Sequence, residues 1–306
     1  MNPAYSVILF TTASGAGYGL LALLGLVGFN HGPVSSFAFG LVAIAIALGL
    51  ITVGLLSSTF HLGHPERAWR AFSQWRSSWL SREGVASVIT YLPALLFGAT
   101  WLDIVNRPAL VGPLGLATAA MCVVTVFCTA KIYSTLKTIR AWNHLTVPVY
   151  LAFALASGGA LLTATATIFD RFQIFQVILT TTALLVLIAL KFFYWRGIDN
   201  AERTHTMAAA TGLGAGVRQW EVPHTSENYI MKEMGFAVAR KHALKLRNAV
   251  FLLLFIALLA FTACLFTPWF SFVAAPAILF AAVVERWLFF AEAQHVVSLF
   301  YGAEKA

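Results

Sequence analysis

Eight runs of this chain stay apolar long enough to cross a bilayer as helices, at about 6–29, 38–60, 84–102, 108–130, 147–168, 173–194, 249–267 and 271–292. Inside hydrocarbon a backbone amide finds no water, so a spanning segment must be a helix or part of a closed barrel. The runs are continuous rather than alternating, which selects helices. The fold class expected is all-α integral membrane protein: one bundle of eight transmembrane helices, a single membrane-anchor domain over 1–306. With 59% of its residues hydrophobic and 10% charged, the chain has no composition for a second, soluble body. The first run lacks a basic flank and a fitting cleavage site, so it is expected to be retained as a span rather than removed as a signal peptide. Its Gly15, Gly17, Gly19, Gly25 and Gly28 suit close helix packing.

Charge divides the loops unevenly. Of the 20 lysines and arginines, Arg107 and Arg171 fall on one face and Arg286 within the last run; all the others, Lys191 and Arg196 among them, fall on the face that carries both termini. The positive-inside bias places that face, both termini and the long 196–247 loop in the cytoplasm. The same bias accounts for the +8 net charge, together with attraction to membrane lipids, and no nucleic acid is expected as a partner. Gly212-x-Gly214-x-Gly216 in the long loop follows no strand and has the spacing of neither a dinucleotide fingerprint nor a P-loop. Partner docking is the role expected of this loop, since connections longer than about 15 residues are usually functional or disordered. Cys122, Cys128 and Cys264 lie within apolar runs without a C-x-x-C spacing, so no iron–sulfur cluster is expected in this chain.

Chemistry-bearing residues gather at one edge of the apolar slab. His61-Leu62-Gly63-His64-Pro65-Glu66-Arg67-Ala68-Trp69 leads out of the second run, and Leu80-Ser81-Arg82-Glu83 leads into the third. Pro65 disfavours helix at His64 and ends the second span there. Beyond it, Trp69, Phe72, Trp75 and Trp79 fall on one side of a helical wheel with Arg67 and Arg70 mostly opposite, which predicts a short interfacial helix. A carboxylate near hydrocarbon needs partners, and a histidine, with an ordinary pKa of about 6.5, can hold or pass a proton there. This edge is where a lipid-soluble carrier of protons and electrons could be met.

These motifs are similar to those of the membrane-anchor subunit family of DMSO reductases, and the likeness runs along all eight spans. Further echoes are Lys131-Ile132-Tyr133-Ser134-Thr135 with Trp142, and Arg286-x-x-Phe289-Phe290. The resemblance implies a haem-free anchor in the bacterial inner membrane. Such an anchor contacts a four-cluster iron–sulfur subunit, holds a molybdopterin catalytic subunit, and exchanges two electrons with a quinone, ubiquinone or menaquinone. It implies that His61 and Glu83 belong to the quinone site as proton relays, with Arg67 and Tyr133 as further candidates. Because the charge bias puts the His61–Glu83 edge in the cytoplasm, the chain looks most like the branch that oxidises sulfite inside the cell. A respiratory DMSO reductase anchor oxidising menaquinol is the alternative. More distant ones are a haem b anchor, which needs paired histidines at matching depth, and a secondary transporter, which usually shows broken helices and midplane charges. Apart from Glu285 and Arg286, the spans carry almost no charge away from their ends.

Overall fold

The computed structural model describes residues 3–62, 64–200, 205–214, 216–217, 220–221, 226 and 238–301, with the backbone alone for His61 and for 238–241. Eight long apolar helices dominate it: α1 (Tyr5–His31), α2 (Phe37–Phe60), α3 (Trp79–Trp101), α4 (Pro108–Ser134), α5 (Thr146–Ile168), α6 (Ile174–Asn200), α7 (His242–Ala263) and α8 (Pro268–Ala291). Local signals set their ends. Ser36 and Ser78 cap α2 and α3 by accepting from the amides of Phe39 and Ser81, Pro108 opens α4, and Gly32 at φ 71° stops α1.

Several helices outrun their apolar cores. The α3 helix starts at Trp79, so Glu83 lies inside it rather than ahead of it, and α6 continues to Asn200. A helix from Val238 runs into α7, so helix occupies both ends of the segment read as a 196–247 loop. Hydropathy marks the part that hydrocarbon demands; the helices continue under polar residues into the interface. Within that segment Met207–Thr211 forms a short helix stopped by Gly212 in the left-handed region. The stretch 222–229, apart from Ser226, falls outside the described residues.

Following Pro65 the chain forms a 3-10 helix, Pro65–Phe72, and then turns, rather than a regular amphipathic helix. Trp69 and Phe72 still share the side that faces inward, with Arg67 and Arg70 off it. The Arg70 guanidinium lies 5.7 Å from the Trp69 ring centre, and that of Arg76 5.6 Å from Trp75.

In lipid, helices gain little from burying apolar surface against one another, so close backbone approach matters more. At the centre α1 crosses α5, and a Cβ on Gly19 would collide with the Ala154 carbonyl. Gly25 and Gly115 likewise bring α1 onto α4. Gly17 meets α2 at Ala47, and Gly28 meets Phe97, whereas Gly15 faces open space. The pairing pattern repeats. In the first half α1 packs on α2 and α4, and α3 packs on α4; in the second, α5 packs on α6 and α8, and α7 packs on α8.

One irregularity interrupts α1. Phe10–Ser14 is a π-helical turn, in which the hydroxyls of Thr11, Thr12 and Ser14 donate to the carbonyls of Val7, Ile8 and Phe10 at 2.9, 2.8 and 2.6 Å. Such turns are rare and are found frequently at functional sites.

Candidate functional site

Near the edge where α2 ends and α3 begins lies a cavity of about 520 Å³. Its walls come from the first turns of α1 (Val7, Phe10), the end of α2 (Leu55, Ser58, Thr59), α3 (Leu80, Glu83, Ser87) and α4 (Ile132, Tyr133). The Pro65–Phe72 segment roofs it with Trp69 and Phe72. Two tethers hold that roof down. Ser81 donates from its hydroxyl to the Ala71 carbonyl, and Arg82 reaches back to the carbonyls of Trp75 and Arg76 at 3.0 and 2.6 Å. The Arg82 guanidinium also lies 4.3 Å from the ring centre of Trp79, whose ring meets Phe127 of α4 edge-on at 5.9 Å.

The lining is almost wholly apolar, which makes the buried carboxyl group of Glu83 stand out. Glu83 is 6% exposed. Its Oε1 accepts from the Ser87 hydroxyl, one turn on, at 3.0 Å. Leu80 and Val88 of the lining, and Trp69 of the roof, are themselves largely exposed.

The residues singled out by sequence do not all meet. Glu83 and Tyr133 line the same cavity from neighbouring helices. His61 closes the turn Ser58–His61, between Thr59 and Leu62, which both line the cavity; its side chain lies outside the described set. Arg67 is turned away. Its side chain is half exposed on the surface and its Nε lies 3.6 Å from Glu66, whose Oε1 also meets His64 Nδ1 at 3.0 Å. Tyr133 forms the inner wall as part of an aromatic cluster, 5.0 Å from Trp142, 5.3 Å from Phe289 and 5.4 Å from Phe290 between ring centres. The Trp142 indole donates to the Phe289 carbonyl at 3.1 Å, which ties the α4–α5 connection to the end of α8. Both secondary motif echoes therefore converge on one cluster beside the cavity.

A second polar centre lies deeper in the other half. Lys191 Nζ of α6 donates to Glu285 Oε1 of α8 at 2.7 Å, and Arg286 Nε lies 2.7 Å from Glu285 Oε2. All three side chains are at most 3% exposed. Lys191, counted by sequence among the loop charges, is thus a buried ion-pair partner. Its position one turn before the end of an apolar run looks the same in sequence whether it faces a loop or a neighbouring carboxylate. Among the described residues no group of three or more His, Cys, Asp or Glu side chains is placed to hold a metal ion.

Compared with known proteins, residues 1–303 match the sequence model of the DMSO reductase anchor subunit. The chain is also 31% identical to one of the subunits of the sulfite dehydrogenase of Allochromatium vinosum, over 98% of this chain and 99% of that protein.

Proposed function

The chain belongs to the DMSO reductase anchor subunit family, and on that premise we propose that it is the quinone-reactive subunit of a three-subunit molybdopterin oxidoreductase. The observation that carries this reading is the apolar cavity with one buried carboxyl group in its wall. Ligand pockets for lipid-soluble molecules are mostly apolar with a few placed polar groups, and about 520 Å³ suits a quinone head and the start of its tail.

In this reading a quinone takes up two electrons from the iron–sulfur clusters of the contacting partner subunit, and two protons. Glu83 delivers one proton from its carboxyl group to a quinone oxygen, with Ser87 orienting the carboxyl group. His61, at the rim, is the candidate for the other. Tyr133 packs against the ring from the inner wall. Arg67, exposed and paired with Glu66, is better suited to partner contact than to the quinone. The 31% identity to a sulfite dehydrogenase subunit favours sulfite as the electron source, oxidised at the molybdopterin of a catalytic subunit. The charge bias of the loops favours a cytoplasmic position for the partners, with both termini inside and the helices in the bacterial inner membrane.

Sulfite-driven reduction of a soluble ubiquinone analogue by the complex that co-purifies with the tagged chain tests this. A Glu83→Gln variant is expected to lose about 10²-fold or more in that rate, the range of general acid–base assistance, while artificial-dye activity of the complex is retained. An unchanged quinone rate removes Glu83 from the site. Oxidation of a quinol by DMSO, without any sulfite-driven rate, assigns the chain to a respiratory reductase instead.

A further inference from the structure

Three ionisable side chains are buried together between α6 and α8, and their charges do not balance. Glu285 needs one cation as a partner, and Lys191 Nζ supplies it at 2.7 Å. Arg286 adds a second cation, its Nε 2.7 Å from the other carboxylate oxygen and its side chain 3% exposed. A surplus charge is costly to keep inside a membrane bundle, and ionisable groups at such depth mark function. The surplus also has a direction. Lys191 feels a further carboxylate from the far side, that of Glu292, which Arg247 holds at 2.8 Å just past the end of α8. At the near end of the row Arg286 meets rings instead. Its guanidinium lies 3.7 Å from the ring centre of Tyr150, 5.2 Å from that of Phe289 and 5.5 Å from that of Phe153.

Two of those rings back the wall of the large cavity. Tyr133, which lines the cavity, stacks on Tyr150 with ring centres 6.0 Å apart and planes at 27°, and meets Phe289 edge-on at 5.3 Å. Steps of 3.7 and 6.0 Å thus join the cation to the wall, which puts it within ~10 Å of the Tyr133 ring. At that range, in a medium of effective dielectric constant about 20, one unit charge alters the stability of another roughly tenfold. Glu83 stands in the same wall, so a carboxyl group and a buried cation flank whatever fills the cavity.

We infer that Arg286 is a positioning residue for quinone reduction, a fixed cation behind the Tyr133–Tyr150 wall that stabilises the negative charge arriving with the electrons. The inference rests on the reading of the large cavity as the quinone site. Reduction to the quinol takes two electrons from the partner's iron–sulfur clusters and two protons, one of them from the Glu83 carboxyl. Until the protons follow, the ring carries negative charge, and once Glu83 has given its proton the wall carries a carboxylate. Arg286 favours both. It exchanges no proton itself, because its guanidinium stays charged throughout. Its effect is to draw electrons onto the molecule in the cavity, which matters most for a weak electron acceptor.

Arg286→Met leaves Lys191 and Glu285 as a neutral pair, so the core of the second half stays balanced. In the purified complex this variant should slow sulfite-driven reduction of a low-potential naphthoquinone analogue about tenfold. A high-potential benzoquinone analogue should lose much less, since a stronger acceptor needs less help. Quinol oxidation through the same site by an artificial acceptor should not fall, and the dye-linked sulfite rate should be unchanged. Arg286→Lys should restore the wild-type dependence on analogue potential. Lys191→Met removes the same surplus from farther away and should show the same pattern more weakly, which keeps the test decisive where Arg286→Met fails to assemble. A loss of equal size with every analogue and in both directions overturns the inference and leaves Arg286 a packing role; wild-type rates with every analogue overturn it too. If Glu83→Gln is inactive in either case, the inference alone fails; if Glu83→Gln is fully active, the reading of the cavity fails with it.

Discussion

A carboxyl group one turn inside a membrane helix is stable there only with partners, and Glu83 and Glu285 find theirs differently. Glu83 has a neutral hydroxyl, which suits the proton-carrying role proposed for it. Glu285 is clasped between Lys191 and Arg286, and Arg286 also lies 3.7 Å from the ring centre of Tyr150. Removing one member of a buried ion pair leaves the other charge uncompensated, on the order of 3–5 kcal/mol. A Glu285→Ala variant should therefore unfold well below the wild-type temperature in detergent. Adding Lys191→Met to it should recover part of that loss, because the double variant buries one uncompensated cation instead of two. Additive losses would show that the two side chains do not act as a pair. The sequence makes Glu83 legible through its motif, but not its depth within α3. The chain places Lys191 and Glu285 94 residues apart, and no spacing rule links groups on α6 and α8.

At the level of elements, the roof over the cavity is a short irregular segment held by side-chain tethers. The wheel puts Trp69 and Phe72 on the side that lines the cavity, but it takes for regular helix what the backbone makes as a 3-10 helix and then turns. What holds the segment is Ser81 together with Arg82, whose contacts to two carbonyls cannot be read from periodicity. Arg82→Ala should raise the KM for the quinone analogue several-fold with little change in kcat, since it loosens a wall without touching the carboxyl group. A fall in kcat at unchanged KM would show instead that Arg82 acts on the chemistry. Eight helices are legible because hydropathy is a property of each run by itself. The π-helical turn in α1 is not, since Phe10-Thr11-Thr12-Ala13-Ser14 reads as ordinary helix and the turn packs on α2 and α8, distant in sequence.

Across the whole molecule, the two four-helix halves pair their helices in the same order and meet along α1 and α5, where glycine lets backbones touch. The large cavity belongs to the first half and the buried ion pairs to the second. In the proposed reading the cavity is entered from the bilayer, past the exposed Leu80, Val88 and Trp69. A substrate that arrives by that door is counted per area of membrane rather than per volume of buffer. In vesicles, diluting the membrane with extra lipid at constant total quinone should slow turnover in proportion, whereas changing the vesicle concentration should not. A rate that follows the bulk concentration would mean that the door faces water. With the door in the membrane, weak binding is no handicap, because a carrier confined to two dimensions is never far from the next entrance.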